Sequence, residues 1–272
     1  MNARSALFDL YGDHLRSRGG SAPIASLVML MAPLGITPPA VRTAVSRMVK
    51  QGWLRPVRIS GAAGYALTPR AEHRLDNAAA RIYRTIANDE WDGHWHLVIP
   101  ERPADRATRE RLRSGLAYLG YAALGDGTWL AARPSPELDA LLQSERITAE
   151  GFLARHEHDD GALIRRAWDL AAVGRSYRTW LSEAKELVSR LPSTPADREV
   201  FAVRSKLVHE WRKFLFTDPG LPRALLPTSW PGDEAAAFFD EEASRLLPAS
   251  ARFVDACLAF PLNDRYSNGA SS

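Results

Sequence analysis

The segment from Thr37 to Thr68 constrains the fold most, because it sets where a helix begins, which face that helix buries and which elements succeed it. Thr37 offers an N-cap, and Pro38 and Pro39 sit in the first helical turn, where a missing N–H forfeits no hydrogen bond. Val41, Ala44, Val45 and Met48 then recur at i, i+3, i+4 and i+7, one face of a helix over roughly 38–51. Arg42, Thr43, Ser46, Arg47 and Lys50 fall on the opposite face. Beyond Gly52, two β-prone runs, 53–59 and 65–68, flank the tip Ser60-Gly61-Ala62-Ala63-Gly64, and this reads as a hairpin with more than a two-residue turn.

Upstream, Ala6, Leu7, Leu10, Tyr11, His14 and Leu15 predict one amphipathic helix over 3–18, stopped by Gly19 and Gly20, and a second helix is expected over 21–31. Pro33-Leu34-Gly35-Ile36 supplies the turn before the third helix. Three helices and a hairpin make a winged helix-turn-helix, from which a further helix, about 70–86 with Leu75, Ala79, Ile82 and Ile86 inward, leads the chain away. A helix of this width fits the major groove; arginine there grips guanine O6 and N7 with two hydrogen bonds, and Thr or Ser reaches base edges or phosphate. Arg55 and Arg58, on the wing, would touch phosphates, contacts that fix register without reading sequence. In isolation the third helix reads better as a solvated face; the hairpin behind it favours DNA.

Charge distribution points the same way. The first 86 residues hold twelve Lys/Arg against four acids, a balance of +8, so a whole-chain formal charge of +3 leaves −5 for the rest. A basic first third on an acidic remainder is the footprint of one domain facing phosphates.

The middle of the chain reads as a strand at 95–99, a helix at 104–119, a hairpin of 121–124 and 128–132, a helix at 136–143 and a strand near 147–154. This βαββαβ order is that of a ferredoxin-like sandwich, whose function the fold does not specify. From residue 162 on, helices are expected near 162–190, 196–216, 234–246 and 249–260. The fold class is therefore α+β multi-domain: residues 1–88 the winged-helix DNA-binding domain with its linker helix, 89–160 a dimerising ferredoxin-like domain, 161–265 a helical effector-sensing domain and 266–272 a flexible tail. In the helical part Arg165, Trp168, His209, Trp211, Arg212 and Lys213 combine cations with aromatics, the chemistry of a pocket for an anionic thioester or nucleotide-bearing ligand. Against this, tryptophans such as Trp168, Trp180 and Trp211 are more often core residues, and helix arginines more often surface ones.

No run approaches the roughly 18 apolar residues of a spanning helix, and the opening MNARSALFDLYGDHLRSRGG lacks a signal peptide's apolar stretch, so a soluble, cytoplasmic protein without membrane contact is expected. One cysteine, Cys257, allows neither an internal disulfide nor a cysteine-rich zinc site and reads as a small buried apolar residue. Against a regulator stand two other readings. His156, His158, Asp159 and Asp160 hold possible ligands for a metal-dependent nuclease or hydrolase, but they lack helical HExxH spacing and read better as an acidic linker. An adaptor that binds RNA or protein through the winged helix is the other.

The stretch from Ala40 to Leu54, that from Trp95 to Gly120, and that from His209 to Gly232 with its DPGLPRALLP and SWPG elements together resemble the PaaX family of repressors of phenylacetate-degradation genes. The resemblance implies a homodimer that binds a palindromic double-stranded operator and is released by an aryl-acyl-CoA effector, typically phenylacetyl-CoA, in control of aromatic catabolism. It implies no cofactor and no enzymatic activity. It also implies a middle domain like the CRISPR-adaptation endoribonuclease subunit, in which a carboxylate at the end of the first strand holds a metal. Here that position is Val98, which disfavours nuclease chemistry and leaves a dimerising role.

Overall fold

The computed structural model describes residues 1–82 and 91–259. The chain is a mixed α+β, multi-domain protein whose described residues fall into two compact units. One gathers Met1–Thr85, Ser182–Trp211 and Ala237–Ser272, the other Ile86–Leu181 and Arg212–Ala236, each as far as its residues are described. The stretch expected as one helical domain, 161–265, contributes to both. The expected boundary at 88, the end of the helix expected to reach 86, and the expected flexible tail 266–272 lie outside the described residues.

In the first unit, helix α1 (Ala3–Leu10) passes into a π-helical turn, Tyr11–Leu15, and a 3-10 turn, Arg16–Arg18, in place of the single expected α-helix. The wide turn is closed by the Arg16 N–H donating to the Tyr11 carbonyl, five residues back. The second expected helix is shorter than its apolar pattern suggested. Ser21–Pro23 forms strand β1, and α2 covers Ile24–Met31, beginning behind a proline that cannot donate. Helix α3 (Pro38–Lys50) stands where the prolines and periodicity put it.

Strands β2 (Leu54–Ile59) and β3 (Ala62–Leu67) pair antiparallel with Ile59 opposite Ala62. The turn is therefore the two residues Ser60 and Gly61, at φ 48° and 84°. That left-handed pair suits the twist of a hairpin, so Ala62 to Gly64, expected in the tip, belong to the strand. β1 adds to the other edge of β3, giving the order β1-β3-β2. Gly64 permits this close approach, since a Cβ there would lie 2.6 Å from Ile59 Cδ1 and 2.9 Å from the Ala22 carbonyl oxygen. Helix α4 (Pro69–Ile82) comes next. Beneath these elements Leu7, Leu10, Tyr11, Leu27, Leu30, Val41 and Met48 form a core completed by residues from far along the chain, Phe201, Val254 and Cys257. Cys257 is thus the buried apolar residue expected, and burial raises its thiol pKa.

In the second unit, β4 (Trp95–Pro100), α5 (Arg106–Tyr118), β5 (Ala122–Gly125), β6 (Thr128–Ala131), α6 (Leu138–Glu145) and β7 (Ala149–Ala154) occur in the expected order. The four strands make an antiparallel sheet ordered β5-β6-β4-β7. Alternation along the strands separates two faces. Val98 and Ala131 pack with Leu112, Leu116 and Leu138, whereas Trp95 and Leu130 pack with Leu163, Ile164 and Leu221.

The remaining helices correct two expectations. Helix α7 (Asp160–Ala167) ends at Trp168, which is extended, and α8 (Leu170–Ser189) restarts behind Asp169, whose carboxylate accepts from the Ala172 N–H at 2.9 Å. After α9 (Asp197–Trp211), α10 runs from Pro231 to Ala259 without the break expected near Pro248. Phe239, Ala243, Leu246, Ser250, Val254 and Cys257 form one buried stripe across that proline. Packing along the stripe offsets the roughly 3 kcal/mol that an interior proline costs.

Candidate nucleic-acid interface

The two faces of α3 are sharply separated. Val41 and Met48 are fully buried, worth roughly 1.5–3 kcal/mol each, and Ala44 and Val45 join them in the core. Arg42, Thr43, Ser46, Arg47 and Lys50 are all exposed. The helix end is fastened by the Trp53 N–H donating to the Met48 carbonyl at 2.9 Å and the Thr68 hydroxyl donating to the Gly52 carbonyl at 2.7 Å. These bonds fix the angle at which the hairpin leaves the helix. On the hairpin Arg55 and Arg58 are exposed, and Arg58 donates to the Gly61 carbonyl at 2.8 Å, which holds its guanidinium at the tip.

The pairing of cations is uneven across the unit. Arg42, Arg47, Lys50 and Arg55 have no carboxylate partner among the described residues. By contrast Arg16 meets Asp76 at 2.5 Å, Arg18 meets Asp255 at 2.7 Å and buried Arg204 meets Asp13 at 2.7 Å. α3 and the adjoining hairpin therefore carry a cluster of unneutralised positive charge, to which a polyanion is drawn, while Arg198 and Lys206 on α9 are also exposed without a carboxylate partner among the described residues. The count of twelve cations included two further exposed arginines without a carboxylate partner, Arg4 on α1 and Arg70 on α4, but could not single them out, because only contacts reveal which cations are spoken for.

The residues expected at an effector site are placed in several environments. His209 is buried and donates from Nδ1 to Asp9 Oδ2 at 2.7 Å. Trp211 is buried too, stacks on Phe239 at 4.7 Å and donates to the Ile82 carbonyl at 3.2 Å. Both therefore serve the core of the first unit. In the second unit Trp168 stacks on Trp95 at 6.0 Å, and Arg165 reaches Asp159 at 3.3 Å while remaining exposed. Arg212 is half-buried and Lys213 exposed, both on the 3-10 turn Arg212–Phe216. A cleft of about 260 Å³ in the first unit, lined by Asp13, Arg16, Arg204, Asp240 and Ser244, contains none of these residues.

The linker histidines have structural partners. His156 Nδ1 lies 3.3 Å from Asp160, which also accepts from Trp95 Nε1 at 2.9 Å, and Asp159 caps α7 through the Gly161 N–H at 2.8 Å. Among the described residues no group of three or more His, Cys, Asp or Glu is placed to hold a metal ion. Val98, where the resemblance places a valine in lieu of a metal-binding carboxylate, is 1% exposed. No helix of the described residues is long and apolar enough to cross a membrane.

Comparison with known proteins places the chain in a family. The PaaX-like protein family matches residues 2–71, the PaaX protein central Cas2-like domain residues 88–164, and the PaaX-like protein C-terminal domain residues 168–256. The Transcriptional repressor PaaX of Escherichia coli (strain K12) is 30% identical over 267 residues, covering 93% of this chain and 83% of that protein. Among solved structures, the uncharacterized protein Rv0674 from Mycobacterium tuberculosis superimposes with a TM-score of 0.58 at 26% identity, covering 94% of this chain and 98% of that one. With similarity at this level along nearly its whole length, the chain belongs to the PaaX family.

Proposed function

We propose that the protein is a cytoplasmic, DNA-binding transcriptional repressor, not an enzyme, whose N-terminal segment acts as a winged helix-turn-helix. The observation that carries this reading is α3, with its apolar residues in the core and Arg42, Thr43, Ser46, Arg47 and Lys50 exposed beside a hairpin bearing Arg55 and Arg58. In this reading α3 enters the major groove and the hairpin runs along the phosphates. That the Escherichia coli relative is named a transcriptional repressor supports repression. The strand order β5-β6-β4-β7 supports a ferredoxin-like middle domain, to which we assign dimerisation. Two copies would set their α3 helices about 34–36 Å apart on a palindromic operator.

Release by an acyl-CoA such as phenylacetyl-CoA, as part of the control of aromatic catabolism, is the family-based element of the proposal. Arg165, Arg212 and Lys213 are its cationic candidates, since His209, Trp211 and Trp168 have packing roles. Such a ligand acts only if it binds the DNA-free conformation more tightly than the DNA-bound one.

The test is quantitative footprinting and titration on candidate promoter fragments. Arg42→Ala or Arg47→Ala is expected to relax base preference by roughly 1–3 kcal/mol, whereas Arg58→Ala weakens all sequences about evenly. Identical losses in both classes would refute the division into reading helix and phosphate-contacting wing. The absence of any protected inverted repeat would refute the operator.

A further inference from the structure

We propose that Arg4 and Arg70, each poised on an aromatic ring, form a second grip on the DNA backbone, distinct from the wing. This rests on the DNA-binding reading above and adds to it a contact made by neither α3 nor the hairpin.

The geometry is a short chain of neighbouring rings and cations. Phe8 and Trp53 meet edge to face, with ring centroids 4.7 Å apart at 78°. The Arg4 guanidinium carbon lies 5.8 Å from the centre of the Phe8 ring and that of Arg70 lies 5.8 Å from the centre of the Trp53 ring. Both rings are half-buried and pack against the core of the first unit, while both arginines are exposed. The cluster is tied to α3 by backbone. Trp53 donates to the Met48 carbonyl at 2.9 Å, Thr68 donates to the Trp53 carbonyl at 3.1 Å, and the Ala71 N–H at the start of α4 donates to the Thr68 hydroxyl at 3.3 Å. Arg70, in that first turn of α4, is thereby held next to the end of α3 whose last turn bears Arg47 and Lys50.

Stacking alone does not account for these cations. An exposed cation–π contact contributes only about 0.5–1 kcal/mol. Neither guanidinium donates a hydrogen bond among the described residues, so the N–H fork that matches phosphate remains available. Neither arginine has a carboxylate partner among the described residues, whereas Arg16 and Arg18 of the same unit are neutralised by Asp76 and Asp255. A ring beneath each guanidinium also narrows its conformational freedom before binding, which lowers the ordering cost of a phosphate contact. Phosphate is the fitting partner because the arrangement offers planar donors and positive charge without a pocket that would distinguish one base from another.

The experiment uses the full chain and a fluorescein-labelled mixed-sequence duplex of roughly 30 base pairs, about three helical turns. Affinity is followed by anisotropy from about 50 to 200 mM KCl. Arg4→Gln and Arg70→Gln should each reduce the slope of log K against log salt by about 1, and the double variant by about 2. Arg4→Lys and Arg70→Lys, which keep the charge and weaken the stack, should retain the wild-type slope. Glutamine variants that keep the wild-type slope and thermal midpoint would overturn the grip and leave the α3 assignment standing. Lysine variants that lose slope as the glutamine ones do would also overturn it, because charge would then not be what matters. A wild-type protein that binds no duplex at low salt would refute the DNA-binding reading itself and this grip with it.

Discussion

Replacing Arg204 with methionine should destabilise the first unit by about 3–5 kcal/mol, the range for removing one partner of a buried ion pair. Arg204 is 2% exposed; its guanidinium donates to both carboxylate oxygens of Asp13, at 2.7 and 3.1 Å, and to the Ala243 carbonyl. The Asp13 side chain is itself only 7% exposed. Methionine keeps much of the apolar stem but leaves the Asp13 charge without its counter-ion, and at an effective dielectric near 20 a lost contact at roughly 4 Å amounts to about 4 kcal/mol. The loss should appear as a lower urea midpoint at constant slope, or as a drop of about 6–20 °C in thermal midpoint. The double variant Arg204→Met with Asp13→Leu separates the causes. If the cost lies in an orphaned charge, removing that charge recovers most of the stability, because apolar replacement of a whole buried pair is close to neutral or better. A single variant that loses less than about 1 kcal/mol, or a double variant no more stable than the single, would refute this account.

Gly64→Ala should cost about 1–3 kcal/mol, because its Cβ would sit 2.9 Å from a backbone oxygen of β1 that cannot rotate away as Ile59 can. A urea melt checks it, and a neutral result would mean that β1 is not held against β3 as described. The pH dependence of stability should carry a contribution from His14, whose pKa is lowered from 6.5 first by burial and then by the charges of Arg204 and Arg18, against the raising effect of nearby Asp13 and Asp255. Below pH 6.5 the unfolded chain takes up a proton that the folded chain declines, so stability falls as pH drops from that value towards the depressed one and is unaffected by this group above it. His14→Leu should flatten stability between about pH 7 and 5 relative to wild type, and an unchanged slope in paired urea melts would exclude His14 as a source.

What the sequence made legible was set by how local the physics is. The third helix could be read because an N-cap, two prolines and a buried stripe all lie within fifteen residues of one another, from Thr37 to Gln51. The hairpin could be read but its turn could not, since Ala62 and Ala63 have no strong strand preference and enter β3 only because Ile59 and Arg58 supply partners. The wide turn at Tyr11–Leu15 left no trace in a pattern that fits a regular helix equally well. The two helices expected near 234–246 and 249–260 are one for the opposite reason: the local rule against an interior proline is sound, and a buried stripe on both sides of Pro248 overrides it. The helical segment was hardest to interpret functionally, because a histidine or tryptophan chosen for a ligand and one chosen for a core have the same letter. His209 is distinguished only by Asp9, two hundred residues away.

Such long-range pairs also bear on how a repressor of this construction would be controlled. Asp9, Asp13 and Arg18, all within or just after α1, are joined to His209, Arg204 and Asp255 on α9 and α10, and α1 packs against α3 as well as α9. α1 is therefore a shared wall between the helix that would read DNA and helices drawn from the C-terminal half. Coupling of this kind needs an element with two discrete arrangements, and a closely packed core crossed by buried ion pairs favours discrete alternatives over gradual deformation, since a half-broken pair leaves a charge unsatisfied. A ligand that displaced α9 would then act on α3 through α1 without approaching the exposed arginines. On this reasoning Arg204→Met, tested at a temperature where it stays folded, should alter the response to the proposed effector while leaving the salt slope of the proposed DNA binding unchanged, because it removes a support behind α3 and no charge from its face.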